Sequence, residues 1–277
     1  MRNTGERLVL WHMANTKAAV FTVMLGEGYG LQQAAELVRA YGFDGIEWRV
    51  HESWHIPLAQ VEQLAGQVYE LCASNGLDIC ALSTYLAPSD PELVAVFYAA
   101  AAVEANLVRV AVPRFARGDN YFKLLDQTKA DLDALLPLCE RTGVKACIET
   151  HHGNIACSAS LAKAIVGDFP PELVGVIYDP GNMVHEGYEN YRLGVQILGP
   201  HLAHVHVKNA GWFRDEEGTW RCRWTPVREG IVDWLEVAQD LAAAGFDGFL
   251  SFEDFSDAPV EQRLSEDIAL IRDIRGQ

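Results

Sequence analysis

The sequence contains no apolar run approaching the ~18 residues of a membrane-spanning helix. Its 6 cysteines (Cys72, Cys80, Cys139, Cys147, Cys157 and Cys222) form no C-x-x-C pair. Most lie in apolar segments, where a free thiol packs as a small hydrophobe. A disulfide framework is therefore not indicated, and a reduced, cytoplasmic protein with no membrane partner is expected. Positive charge is scarce: 22 Lys and Arg stand against 38 acids, for a net charge of −16. A nucleic-acid surface needs clustered positive charge to displace counterions, so a nucleic-acid partner is not expected. No G-x-G-x-x-G follows the first expected strand, which weakens a dinucleotide-binding fold. No low-complexity linker divides the chain. The opening "MRNTGERLVLWHM" flanks a very short apolar stretch with charge and makes a poor secretory signal. Residues 1–17 read as an N-terminal extension, with Met13 as an alternative start, and residues 18–277 as one domain.

What the chain does have is alternation. Short β-branched runs at 19–25, 45–50, 78–83, 107–113, 145–151, 174–180, 203–209 and 248–254 are separated by helical patterns. Leu31, Ala34, Ala35 and Val38 form one apolar stripe, and Ile231, Trp234, Leu235, Ala238 and Leu241 another. Both patterns stop at a glycine, Gly42 and Gly245. Eight strand–helix units in 277 residues predict an α/β, single-domain (β/α)8 TIM barrel rather than an open sheet. The tetrapeptide GFDG recurs at 42–45 and 245–248, each time between a helix and a glutamate-bearing strand, as a ring of repeated units would leave it.

In such a barrel the C-terminal strand ends carry the chemistry. Side chains alternate along a strand, so Glu149 and His151 share a face of strand five, with His152 turned toward the helix layer. Asp179 ends strand six. His204, His206 and Lys208 share a face of strand seven, with His204 deepest and read as packed core. Glu253 ends strand eight. One inward residue from each of four consecutive strands gives Glu149, Asp179, His206 and Glu253. Bare carboxylates brought together would repel, and a divalent cation resolves the repulsion. Three carboxylates and one imidazole suit a hard ion with open positions.

The motifs GFDGIEWR, IETHHGN, VIYDPGNM, HVHVKN, GIVDW and FLSFEDF, in this order and strand context, resemble the xylose isomerase-like TIM barrel family. Its members include tagatose 3-epimerases, hydroxypyruvate isomerases, inosose dehydratases and endonuclease IV. The resemblance implies that Glu149, Asp179, His206 and Glu253 hold one divalent ion, with Mn2+ favoured and Mg2+, Co2+ or Zn2+ as alternatives. Two departures stand out. Asn182 replaces the histidine usual three residues after the strand-six aspartate, and His185 lies three further on. The segments 83–86, 112–115 and 221–224, where a three-metal nuclease needs extra ligands, contain no histidine. That argues against phosphodiester cleavage.

The resulting expectation is a metal-dependent sugar isomerase or epimerase. Glu149 and Glu253 would transfer a proton through an enediolate of a ketose, aldose or keto-polyol. A dehydratase or lyase on the same metal site is the alternative, and a sugar-binding barrel without catalysis a further one. His151, Asn182, Lys208, Arg223, Glu47 and Arg49 are the expected substrate contacts. For Lys208 the competing reading is a solvated rim lysine, and for Glu47 and Arg49 an internal ion pair. Arg223 sits in WFRDEEGTWRCRW (212–224), read as a loop whose tryptophans and arginines suit a polyhydroxylated ring. A subunit interface has the same composition, which leaves a homo-oligomer open.

Overall fold

The computed structural model describes Met13, residues 16–187 and residues 189–277. Apart from Met13, Thr16 and Lys17, the expected N-terminal extension lies outside the described residues. Eight parallel strands close into a barrel: β1 (Lys17–Phe21), β2 (Gly45–His51), β3 (Asp78–Ser83), β4 (Leu107–Arg109), β5 (Lys145–Glu149), β6 (Val174–Tyr178), β7 (Leu202–Val207) and β8 (Phe249–Phe252). Ala19 of β1 lies opposite both Gly45 of β2 and Ser251 of β8, the register that closes the ring.

The outer layer comprises α1 (Leu31–Tyr41), α2 (Val61–Asn75), α3 (Leu93–Ala102), α4 (Tyr121–Thr142), α5 (Ala159–Val166), α6 (Tyr191–Leu198), α7 (Trp234–Ala243) and α8 (Val260–Arg275). Four of these helices begin where the sequence offers a capping side chain. Asn120, Ser158, Asn190 and Asp233 each accept a hydrogen bond from a backbone N–H of the first turn. Gly42 ends α1 with φ 90°, a left-handed conformation that costs a glycine little.

Apolar burial is divided in two. The larger core lies between strands and helices. A small cluster of Ala81, Leu107, Cys147 and Ile177 packs separately. Cys147 is two residues before Glu149 on β5, so this cluster fills the barrel below the strand ends. An apolar floor with a polar layer above it follows from that alternation.

Several expected elements end early. The first strand stops at Phe21 and turns into a 3-10 segment, Thr22–Leu25. The Thr22 hydroxyl there accepts from the Arg49 backbone N–H at 2.9 Å, taking the place of a ladder carbonyl. β4 ends at Arg109 and β5 at Glu149, so residues 110–113 and 150–151 leave the sheet. In the second helical stripe Trp234, Ala238 and Leu241 are buried, but Ile231 precedes α7 and Leu235 is exposed. The segment 212–224 is not a loop: Asn209–Arg214 and Trp220–Thr225 pair as an antiparallel hairpin above β7.

Candidate metal centre

The ends of β5, β6, β7 and β8 bring Glu149, Asp179, His206 and Glu253 together. One ligand atom from each lies within 4.8 Å of the others, and all four residues are buried. His206 Nδ1 is 3.0 Å from Glu149 Oε1, 3.7 Å from Asp179 Oδ2 and 3.6 Å from Glu253 Oε2. Asp179 is fixed by its own chain. Its backbone N–H donates to Thr150 Oγ1 at 2.7 Å, and its carboxylate caps the single turn Pro180–Met183 by accepting from Asn182 N.

The other nitrogen of His206 is held from behind. Nε2 lies 3.1 Å from Glu47 Oε1, and His204 Nε2 lies 3.0 Å from Glu47 Oε2. Ser251 and Ser83 hydroxyls complete the shell of Glu47, which is wholly buried. The internal ion pair that competed with a substrate contact is therefore not formed: Glu47 bonds two histidines and two serines, and not Arg49. His204 takes the core position anticipated for it. Arg49 instead donates to the Trp54 carbonyl at 2.7 Å and stacks over the Trp54 ring. Glu47, Cys80 and His204 form a second group with metal-ligand chemistry, but the Glu47 oxygens already have partners.

Sequence reasoning missed Arg109, whose Nη1 donates to Glu149 Oε2 at 2.7 Å in a buried pair. The signal was present: a lone arginine inside the apolar run LVRVAV needs a buried partner. Burial raises the Glu149 carboxyl, but Arg109 and His206 outweigh burial and hold it well below the usual carboxylate range. Glu253 moves the other way, because burial dominates the opposing influence of Lys208 and His206. Burial also disfavours a charged His206, yet Glu47 and Glu149 lift it well above the usual imidazole range.

Lys208 is not on a solvated rim. It is 2% exposed, and its Nζ sits 2.9 Å from Asp179 Oδ2, bonded to Glu253 and 3.8 Å from Glu149 Oε1. Asn182, at the departure from the family pattern, is fully buried. Its amide donates to Asp179 Oδ2 at 2.8 Å and to Glu149 Oε1 at 3.1 Å, tying two of the cluster's three carboxyl groups together. The Asn182 carbonyl faces His152 Nδ1 at 3.0 Å. His152 therefore faces the barrel mouth, not the helix layer, because β5 has ended before it and strand alternation no longer applies. His151, His152 and His185 stack with centroid spacings of 4.4 and 4.2 Å, and Trp224 closes the stack 4.6 Å from His185. His185 gives no atom to the four-residue cluster. On the hairpin, Trp224 reaches the site, while Arg223 is exposed on the alternate face.

A cavity of about 400 Å³ opens beside this cluster, with Tyr85, Arg109, Arg114, Glu149, His151 and Asn154 in its wall. A cavity of about 470 Å³ at the opposite end, by Lys17, Asp78 and Phe249, lacks such converging groups. The donor set fits a divalent cation. Four buried carboxylates, counting Glu47, face two fixed cations, Arg109 and Lys208. With His206 neutral, as a ligand must be, two negative charges are left over. No helix among the described residues is long and apolar enough to cross a membrane.

Residues 35–274 match the family model described as "Xylose isomerase-like TIM barrel". A curated relative, an uncharacterised protein of Methanocaldococcus jannaschii, is 24% identical over 136 residues. That match covers 48% of this chain and 44% of the relative, so less than half of the relative's length is spanned. Among solved structures, a D-tagatose 3-epimerase-like protein superposes with TM-score 0.75 at 19% identity, covering 94% of this chain and 97% of that one. The IOLI protein with a bound zinc atom gives 0.75 at 17%, covering 94% and 98%. The probable 3-DHS dehydratase AsbF of Bacillus anthracis gives 0.73 at 18%, covering 92% and 98%. At these identities the structures establish the fold, and the family match establishes kinship. The chain belongs to the xylose isomerase-like TIM barrel family.

Proposed function

We propose that the protein is a divalent-metal-dependent sugar isomerase or epimerase acting on a ketose, an aldose or a related keto-polyol. The observation that carries this reading is the convergence of Glu149, Asp179, His206 and Glu253 beside an open cavity. These four side chains would hold the ion, and the oxygen-rich donor set favours Mn2+ over a closed zinc site. When bound, such an ion polarises a substrate carbonyl and a neighbouring hydroxyl, which acidifies the carbon between them.

The protein's own residues do the rest. Glu149 is held ionised by Arg109, which suits it to accept the carbon-bound proton. Glu253, recharged with a proton from solvent, would give that proton to the enediolate, and Glu149 would release the one it took to solvent. Return to the opposite face of the same carbon is epimerisation, and return to the neighbouring carbon is isomerisation. His151 and Arg49 contact substrate from the cavity wall and rim, with Lys208 beside the developing oxyanion. Asn182 keeps Glu149 and Asp179 in register. We assign residues 18–277 to the catalytic barrel, a small-molecule sugar or polyol as its partner, and the exposed hairpin face with Arg223 to substrate entry or a subunit contact.

Dehydration is the second reading. The half-buried His151, on the cavity wall beside Glu149, would serve to protonate a departing β-hydroxyl from the same enolate. Proton exchange with D₂O, followed by NMR over keto sugars, inositol ketones and sugar phosphates with added Mn2+, tests both. Glu149→Gln and Glu253→Gln should each lower exchange by about a hundredfold or more. Exchange at wild-type rates in both variants would defeat the proton-transfer assignment, and appearance of an enone would select the dehydratase.

A further inference from the structure

We propose that Lys208 competes with the divalent cation for the carboxylates of the site and swings onto the rings of Trp224 and Phe255 when the cation enters. The inference rests on the metal-dependent reading above and identifies a residue that sets the affinity of that site.

A single ammonium touches three of the four cluster residues: Asp179 at 2.9 Å, Glu253 by a direct bond and Glu149 at 3.8 Å. These are the same carboxyl groups that would coordinate the ion. An ammonium within bonding distance of Asp179 Oδ2 and Glu253 Oε2 leaves no room for a second cation on those oxygens. Two cations at contact distance also repel strongly in so buried a place. The dication carries the greater charge and wins the oxygens, but its net affinity is reduced by the work of moving the ammonium.

The lysine is placed there by the fold. A Cβ on Gly181 would come within 2.7 Å of Lys208 Cγ and of the Lys208 carbonyl oxygen, so only glycine lets this stem pass beside the Asp179 turn. Trp234 Nε1 donates to the Lys208 carbonyl at 3.1 Å and fixes the backbone. Two aromatic rings already flank the ammonium where it sits and can take it over when the carboxylates are claimed. The centroids of Trp224 and Phe255 are each 5.2 Å from Nζ, within cation–π range. Rotation about the flexible four-carbon stem therefore moves the ammonium off the carboxylates without exposing it or leaving it unpartnered.

The test is calorimetric titration of Mn2+ into chelator-treated full-length protein, comparing wild type, Lys208→Met and Trp224→Leu. Removing the ammonium should tighten Mn2+ binding by about tenfold or more. Removing the Trp224 ring should weaken it, because the displaced ammonium loses a partner. Unchanged or weaker binding by Lys208→Met, or unchanged binding by Trp224→Leu, overturns the proposal. If Lys208→Met does not fold, Lys208→Gln, which can still donate to Asp179 and Glu253, makes the same comparison. Absence of Mn2+ uptake by the wild type is a different result: the metal-dependent reading itself then fails, and this inference with it.

Discussion

Glu47 on the second barrel strand reaches His206 on the seventh, with its Oε1 3.1 Å from the ring Nε2. This contact fixes which nitrogen of His206 is free. A carboxylate at Nε2 holds a proton there, so Nδ1, which faces Glu149, Asp179 and Glu253, is the nitrogen that would give up its proton to a cation entering the site. A metal-ligating histidine commonly passes its other N–H to a carboxylate in this way, which raises its basicity and holds its ring.

Glu47→Gln keeps the bulk of the side chain and removes its charge. Mn2+ affinity measured by calorimetry should fall by about ten- to a hundredfold. Wild-type affinity in this variant would show that Glu47 does not support the ligand histidine.

Arg109 and Glu149 form an ion pair with both side chains nearly inaccessible. Arg109→Met leaves a buried carboxylate without its principal counter-charge. Loss of one partner from such a pair costs about 3–5 kcal/mol, read as a lower urea midpoint. A variant as stable as the wild type would mean that Lys208 and His206 alone suffice to balance Glu149.

Asp267 on α8 is fully buried, and neither of its carboxylate oxygens has a hydrogen-bond partner among the described residues. Burial, and then the neighbouring Asp254, lifts its carboxyl well above the usual range. The folded protein therefore binds this proton more tightly than the unfolded chain does. Its contribution to stability is intact below about pH 4, the ordinary value for an aspartate, and is lost as pH rises through the raised folded value. Asp267→Asn, which cannot ionise, should melt above the wild type at pH 8, with the difference shrinking as pH falls toward 4. A difference that stays constant with pH would show that the carboxyl titrates alike in both states.

Much of the site could be read along the chain because its candidate ligands lie at strand ends. Glu149, Asp179 and Glu253 each close an apolar run, His206 stands one residue before the end of β7, and period-two alternation points each of them inward. The same rule misplaced His152, since alternation holds only while the backbone stays extended, and β5 stops at Glu149. The rim alternative for Lys208 failed for a similar reason. That lysine follows the end of β7, and its depth depends on the missing side chain of Gly181, 27 positions away in sequence.

The sequence by itself determined the eight strand–helix repeats, the closed barrel and the identity of four converging candidate ligands. Each of these depends on periodicity within a few neighbouring residues. Tertiary structure alone decided that Glu47 backs His206 across 159 positions, that Arg109 belongs to Glu149 and that Trp224, not Arg223, faces the site. Those pairings arise when the sheet closes on itself and when the hairpin folds over the mouth. A local pattern places a side chain on a face, but only closure of the ring determines which charge stands opposite it.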